Sequence, residues 1–424
     1  MNRSARLASG LALALALAAP RPSLATSLDE AIARALKTHP DMAEAAADLD
    51  LADARLAEAR AAGLPQVAVV GQTGHGTSDL GGFFGFGKST VDPRAVSLEV
   101  RQTLFSGGAV LGGMEQARQG RRAAATLSRG QGLKLAARVA QAYGAVLSAR
   151  DNLAQSATYA SATAEIARQA ALRFKAGEIP LSELSQAQAR QADGAARLAA
   201  AQGASADAAA DYAAWVGVPP DPLDPLPPPA PLSADLDGLI AAAEQGNPDL
   251  AAADARVQAA RAGVRVAQAE RLPNVALTAS VSSARDQFFP GYRADGSMIG
   301  VQGRWSLFSS GGTSARISEA RAELHKAEAV LARARSDLRT AVIRTWNAAR
   351  TAAAAERAAR DQVTAAESAR DSLRHEVRVG QKPILDLLNA ERDVLEARAK
   401  LSQAAAARTV ASYQLAALLG SSNP

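Results

Sequence analysis

Apolar and small residues recur every seven positions through three long stretches of this chain. Val139, Val146, Leu153, Ala160, Ala167 and Phe174 keep that spacing beside Ala142, Ala149, Ser156, Thr163 and Ala170. Ile317, Leu324, Leu331 and Leu338 run beside Ala320, Ala327, Ala334, Ala341 and Ala348, and Leu387, Val394 and Leu401 beside Ala390, Ala397, Ala404 and Ala411. Strict sevens imply helices that supercoil left-handedly, and alanine at alternate seam positions lets backbones approach closely. The pattern predicts two proline-free helices, 110–175 and 313–379, each roughly 100 Å long at about 1.5 Å per residue. Shorter helices are predicted at 41–63, 182–216, 248–271 and 384–419. Laid end to end, the two shorter rods of each half nearly match one long one. Asn247-Pro248-Asp249 is a sound start, with a cap, a proline in the first turn and then an acid.

Between these helices the period falls to two. Val96, Leu98 and Val100 alternate with Ser97, Glu99 and Arg101; Val275, Leu277, Ala279 and Val281 with Thr278, Ser280 and Ser282; Ile299, Val301, Trp305 and Leu307 with Gln302, Arg304 and Ser306. Residues 66–76 form a weaker fourth run carrying Val67, Val69 and Val70. Runs of about ten alternating residues suit tilted strands crossing an outer-membrane-type bilayer. The loops between them, 77–93 and 283–297, are glycine-rich and hold Phe83, Phe84, Phe86, Phe288, Phe289 and Tyr292, as expected near a lipid–water interface. Four strands cannot close a barrel, and lipid does not tolerate open edges. Either the hairpins stay in water or several chains share one barrel, and three copies would supply twelve strands.

The chain is also duplicated. Thr38-His39-Pro40-Asp41 returns as Gly246-Asn247-Pro248-Asp249, Leu64-Pro65 as Leu272-Pro273, and Gly177-Glu178-Ile179-Pro180 as Gly380-Gln381-Lys382-Pro383. Leu104-Phe105-Ser106-Gly107-Gly108 is echoed by Leu307-Phe308-Ser309-Ser310-Gly311-Gly312. So long a repeat is a whole assembly, not a solenoid unit. The expected organisation is a leader at 1–25, a first repeat at 26–217 with its hairpin near 66–104, and a proline-rich linker at 218–232. A second repeat follows at 233–420, with its hairpin near 274–307, and then a short tail at 421–424.

The leader reads as a secretory signal peptide: Arg3 and Arg6, an apolar run from Leu7 to Ala19, and Ser23-Leu24-Ala25 before a cut at Thr26. Removing its three arginines lowers the formal net charge from +5 to +2, with mixed signs along the helices and no nucleic-acid footprint. There is no cysteine for lipid attachment or disulfides. The mature chain has no stretch apolar enough for a spanning helix. His39, His75, His325 and His375 have no metal-ligand partner at helical spacing and read as surface residues. No catalytic constellation, cofactor site or metal site is visible, so an enzyme is rejected.

The arrangement resembles the TolC family of outer-membrane efflux proteins over roughly 27–420. The most specific stretch runs from Arg374 to Arg392, a glycine, a short turn and then Asp386-Leu387-Leu388-Asn389-Ala390 opening a helix. Arg173-Phe174-Lys175-Ala176-Gly177 with Glu183 and Leu184 is its counterpart, and Val139-Ala140-Gln141-Ala142-Tyr143 is similar to a further family run. The resemblance implies a mainly α protein with a membrane β part: a homotrimer whose coiled-coil helices form a periplasmic α-barrel and whose four strands per chain complete a shared 12-stranded β-barrel. It would lie in the outer membrane of a Gram-negative bacterium, among outer-membrane lipid, and extend into the periplasm. There it would passively conduct protein or small-molecule cargo from an inner-membrane transporter (ABC or RND type) and a periplasmic adaptor. The second-half pattern is most similar to the branch serving type I protein secretion. The cargo, the transporter class and the open-state geometry are left open by the sequence.

The candidate gate lies at the periplasmic tips, where helices turn at Gly177–Pro180 and Gly380–Pro383. Glycine supplies a left-handed cap and proline opens the next helix. By resemblance, Asp386 matches the first of two acidic rings at the entrance, and the second falls on Asn389, an amide. Lys382 stands where the family often has a bracing arginine. Glu183 follows Gly177 as Asp386 follows Gly380, and Lys382 and Glu183 are expected to pair between neighbouring helix pairs. The alternative reading of the whole chain is a periplasmic coiled-coil spacer or adaptor that forms no pore.

Overall fold

The computed structural model describes residues 25–82, 87–228 and 231–421. All but the last residue of the expected leader lies outside these, as do Phe83, Phe84, Phe86, Pro229, Ala230 and most of the tail. Elements follow in the order α1 (Leu28–Thr38), α2 (Pro40–Ala61), β1 (Gln66–Thr73), β2 (Gly76–Asp79), β3 (Lys88–Val91), β4 (Arg94–Phe105), α3 (Ala109–Lys175) and α4 (Leu181–Val216). The second half repeats them as α5 (Leu236–Gly246), α6 (Pro248–Ala269), β5 (Asn274–Arg285), β6 (Arg293–Arg304), α7 (Gly312–Arg378) and α8 (Ile384–Leu419).

The two long helices have 67 residues each, about 100 Å. Their ends are set by glycine: Gly108 and Gly311 precede them at φ 94° and 85°, and Gly177 and Gly380 follow just beyond the caps, both at φ 76°. Seam residues are buried where the sevens place them: Val139, Val146 and Ala167 in α3, Ile317 and Leu338 in α7, Leu387, Val394 and Ala397 in α8. Two positions depart from the pattern and are exposed: Phe174, one residue before α3 ends, and Ala348 of α7, beside which Ala349 is buried instead.

α3 packs against α2 and α6 on the sheet side of its middle, and against α4 and α8 beyond it. α7 packs against α6 and α8, and never touches α3. The helices therefore form one curved layer, ordered α2-α3-α6-α7 and then α4-α3-α8-α7, with free margins. α1 and α5 sit at mid-height. Leu28, Ala31 and Ala35 of α1 join Val139, Tyr143, Tyr212 and Val216 in one core, and Ile240 and Ala243 of α5 join Leu338, Val342 and Leu415 in its counterpart. A capping box between Ser27 and Glu30 starts α1, and the Asn247 side chain accepts the Leu250 N–H to start α6.

The strands form one antiparallel sheet ordered β1-β4-β5-β6, so the two hairpins join through β4 and β5. The register puts Val67, Val69, Val96, Leu98, Val100, Leu277, Ala279, Val281, Ile299 and Val301 on one face. Gln66, Glu99, Arg101, Thr278 and Ser280 lie on the other.

Two expectations need correction. The last strand spans 293–304, not 299–307. β5 runs on to Arg285, and the loop closes tightly: the Asp286 side chain accepts the Gly291 N–H at 2.6 Å, and Arg285 pairs with Asp295 at 3.0 Å. Trp305 leaves the strand to donate its Nε1–H to the Arg271 carbonyl at 3.0 Å. The first hairpin also carries a second ribbon, β2 with β3, inside what reads as loop.

Candidate functional site

Each tip is a matched pair of turns. Gly177 and Gly380 donate their N–H groups to Phe174 and Val377, while Glu178 and Gln381 reach back to Arg173 and Glu376 at 2.9 Å. This is the Schellman closure that a left-handed glycine permits. Pro180 and Pro383 then stand at the N-cap, one position before the first helical residue, with extended ψ of 160° and 150°. Glu183 and Asp386 donate their backbone N–H to those prolines' carbonyls at 3.1 Å, so both acids occupy the same first-turn position, where the helix dipole favours a carboxylate.

The two tips are one body. Ile166, Ala170, Ile179 and Leu184 of the first share an apolar cluster with Ile384, Leu387 and Leu388 of the second. Beside it the Asn389 amide oxygen accepts from the Arg190 Nη2 at 3.3 Å, which ties α8 to α4. Among the described residues no ion pair joins Lys382 to Glu183, and the side chains of Lys382, Glu183 and Asp386 have no partner within one chain. Lys382 is exposed; the two acids are half-buried.

Sequence reasoning missed the polar ties along α8. Arg374 donates to the buried Glu391 at 2.7 Å. Arg398 bridges Glu367 of α7 and Gln155 of α3, each at 2.7 Å, and Arg408 reaches Glu356 at 3.0 Å. Glu391 and Arg398 flank the heptad seam and Arg408 continues it seven residues after Leu401, which is the signal that could have found them.

The mid-height girdle was missed too. The linker's Leu223 and Leu226 pack on the α1 core. The Tyr143 hydroxyl lies 2.8 Å from the Thr26 carbonyl and 2.7 Å from that of Asp224, and Arg150 binds the Pro220 carbonyl at 2.8 Å. Burial pushes the Tyr143 phenol up to about 12. His39, read as a surface residue, is instead 11% exposed: it accepts the Asp41 N–H to cap α2 and stacks on Trp215 at 5.2 Å. Among the described residues no group of three or more His, Asp or Glu side chains is placed to hold a metal ion, and no helix is long and apolar enough to cross a membrane.

The paired repeats, the single helical layer and the four-stranded sheet now meet comparison with known sequences. The model of the family described as outer membrane efflux protein matches residues 31–218 and 239–421. The chain belongs to that family. The chain is 31% identical to the outer membrane efflux protein BepC of Brucella suis biovar 1 (strain 1330) over 253 residues, 59% of its own length and 55% of that relative's. The match thus spans about half of the curated relative. Its fold is similar to that of the outer membrane protein VceC from Vibrio cholerae, with a TM-score of 0.79 at 21% identity, covering 93% of this chain and 96% of the other. The Campylobacter jejuni CmeC outer membrane channel gives a TM-score of 0.80 at 15% identity, covering 93% and 85%. This outer membrane efflux protein resides in the outer membrane and extends into the periplasm, and its family is one of efflux channels, not of enzymes.

Proposed function

We propose that three copies of this chain close into a duct across the outer membrane and periplasm, passively passing cargo delivered by an inner-membrane transporter through a periplasmic adaptor. The observation that carries this reading is that both layers stop short at both margins. β1 and β6 are edges of an open sheet whose apolar face is exposed, with Val69 70%, Ile299 75% and Val301 66% accessible. An open edge is not tolerated in lipid, so the sheet needs β6 of one copy against β1 of the next. Four strands per chain then give twelve in a trimer, and the same operation brings the free margin of α7 to α2 and α4 of a neighbour.

At the tips, Asp386 from three copies would form one carboxylate ring at the narrow entrance. Asn389 stands behind it, engaged by Arg190. Lys382 and Glu183, unpartnered within a chain, pair across the boundary between copies and brace the closed state. Converging carboxylates focus a negative potential, which favours cations in the pore. The second-half turn pattern around Gly380 and Asp386 is most similar to the branch serving type I protein secretion, and drug-efflux members share much of it, so protein and small-molecule cargo both fit the duct.

Planar-bilayer recording of the detergent-purified mature protein, checked for trimeric mass, tests the reading. Cation-selective openings from a trimer support it. A monomeric, water-extractable protein without conductance would replace it with the coiled-coil spacer.

A further inference from the structure

The sheet's outward face changes character along its length. From the helix end its cross-strand rows read Gln102–Leu277–Val301, then Val67–Val100–Ala279–Ile299, then Val69–Leu98–Val281–Ser297, then Gly71–Val96–Ser283–Asp295. The outermost row is Thr73–Arg94–Arg285–Arg293. Three guanidinium groups therefore stand on adjacent strands, on the same face as the valines and leucines. Like charges directly opposite across strands repel, so such a row is unfavourable unless something anionic covers it. The chain supplies one acid: Asp295 takes Arg285 in a two-pronged pair at 3.0 and 3.3 Å. Among the described residues Arg94 and Arg293 make no side-chain hydrogen bond or close ion pair, Arg293 shares only the field of the Asp295 carboxylate that Arg285 already binds, and both are exposed.

The height of the row identifies what meets it. Leu277 and Arg285 are separated by eight residues of one strand, about 27 Å at 3.4 Å each, or about 20 Å along the membrane normal at a tilt near 40°. That is the far edge of an apolar band about 25 Å tall, on the side away from the helices. Directly below the arginines the face holds a shallow depression of about 650 Å³, where Ser283 and Ser297 leave room among Val69, Val96, Leu98 and Val281.

We propose that this row is a docking site for a phosphate-bearing lipid headgroup of the outer leaflet, with Arg94 and Arg293 holding the phosphates and the depression seating an acyl chain. Guanidinium forks match phosphate oxygens in pairs, and apolar surface beside them fits the attached chains. The proposal rests on the apolar face meeting lipid, and it needs only one chain's sheet.

Native mass spectrometry of the full-length mature protein in detergent, titrated with a bis-phosphorylated glycolipid, tests it. We expect one saturable lipid per chain and at least tenfold weaker binding of the same lipid after dephosphorylation. R94Q/R293Q should show the same loss, whereas R101Q, on the opposite face of the same strands, should bind as wild type. Equal affinity for the dephosphorylated lipid, or an assembled R94Q/R293Q that binds undiminished, overturns the proposal. If that variant does not assemble, the phosphate comparison on the wild type decides alone. A protein that conducts but shows no phosphate preference loses only this site; one that neither conducts nor stays with membranes loses the duct reading as well.

Discussion

Gly194 of α4 faces α3 so closely that a methyl group has no room. A Cβ built there would lie 2.6 Å from the Thr163 Oγ1 and 3.2 Å from the Ala160 Cα. Thr163 is fully buried, and its hydroxyl already donates back to the Tyr159 carbonyl at 2.9 Å, so it cannot turn away without losing that bond. Gly203, nine residues along the same helix, would meet nothing within 4 Å. Alanine gains about 1 kcal/mol over glycine in a helix interior, and overpacking a seam costs about 1–3 kcal/mol. Gly203→Ala should therefore stabilise by up to about 1 kcal/mol, and Gly194→Ala should destabilise by up to about 2 kcal/mol after its helix gain is subtracted. In G194A/T163A the closest clash is gone, and the coupling should recover most of the loss. Apparent melting of the detergent-purified protein, followed by helical circular dichroism, resolves the opposite signs. It is compared between variants only, since an assembled membrane protein does not unfold in two states. If G194A and G203A both raise the melting temperature, α3 and α4 are not in contact at this seam.

Asp386→Ala should reduce cation selectivity and weaken block by multivalent cations in bilayer recordings; unchanged selectivity refutes the ring. Glu391→Gln, which breaks the Arg374 tie at a buried site, should cost about 1 kcal/mol, while Glu396→Gln, whose exposed pair with Arg392 spans 3.7 Å, should leave the apparent melting temperature unchanged. Tyr143→Phe should loosen the proline-rich linker by about 1–2 kcal/mol and make Leu223 a site of limited proteolysis. Burial raises the phenols of Tyr143, Tyr159, Tyr212 and Tyr413, and that of Tyr143 from 10.0 to about 12. A raised folded value means the contribution is complete below pH 10 and is lost as pH climbs from 10 towards 12. Melting scans across that window, with phenolate absorbance recorded alongside, should show the decline; tyrosines that all ionise near pH 10 before unfolding would contradict it.

The helices were legible because each is written redundantly. A seven-residue seam gives the body of α3, and glycine before proline gives its end at Gly177–Pro180, twice over in the duplicated chain. β6 was legible only in its second half, from Ile299 on. At the end of the sheet away from the helices its apolar face turns to Asp295 and Arg293, so the alternation survives in geometry but not in hydrophobicity. The girdle was hidden for another reason. Tyr143 binds the carbonyls of Thr26 and Asp224, main-chain groups distant along the chain that no side-chain pattern encodes. The same holds at the helix tips. Asp386 can be placed from its turn, but Arg190 as the partner of Asn389 depends on how α4 lies against α8.

The two repeats have unequal neighbours. α3 is flanked within its own chain by helices on both sides, and at Gly112 and Gly130 its backbone comes so close to α6 that added methyl groups would crowd Val266 and Pro248. The corresponding places in α7 are Ala315 and Arg333, on a helix with one margin bare. Lesions in α3 thus spoil the molecule that carries them and are masked by a healthy allele. If three copies close as proposed, lesions along the bare margin of α7 leave a chain that still folds and still joins normal subunits. In a cell making both forms, these are the mutations that poison the mixture, so dominance itself maps that margin of α7 genetically.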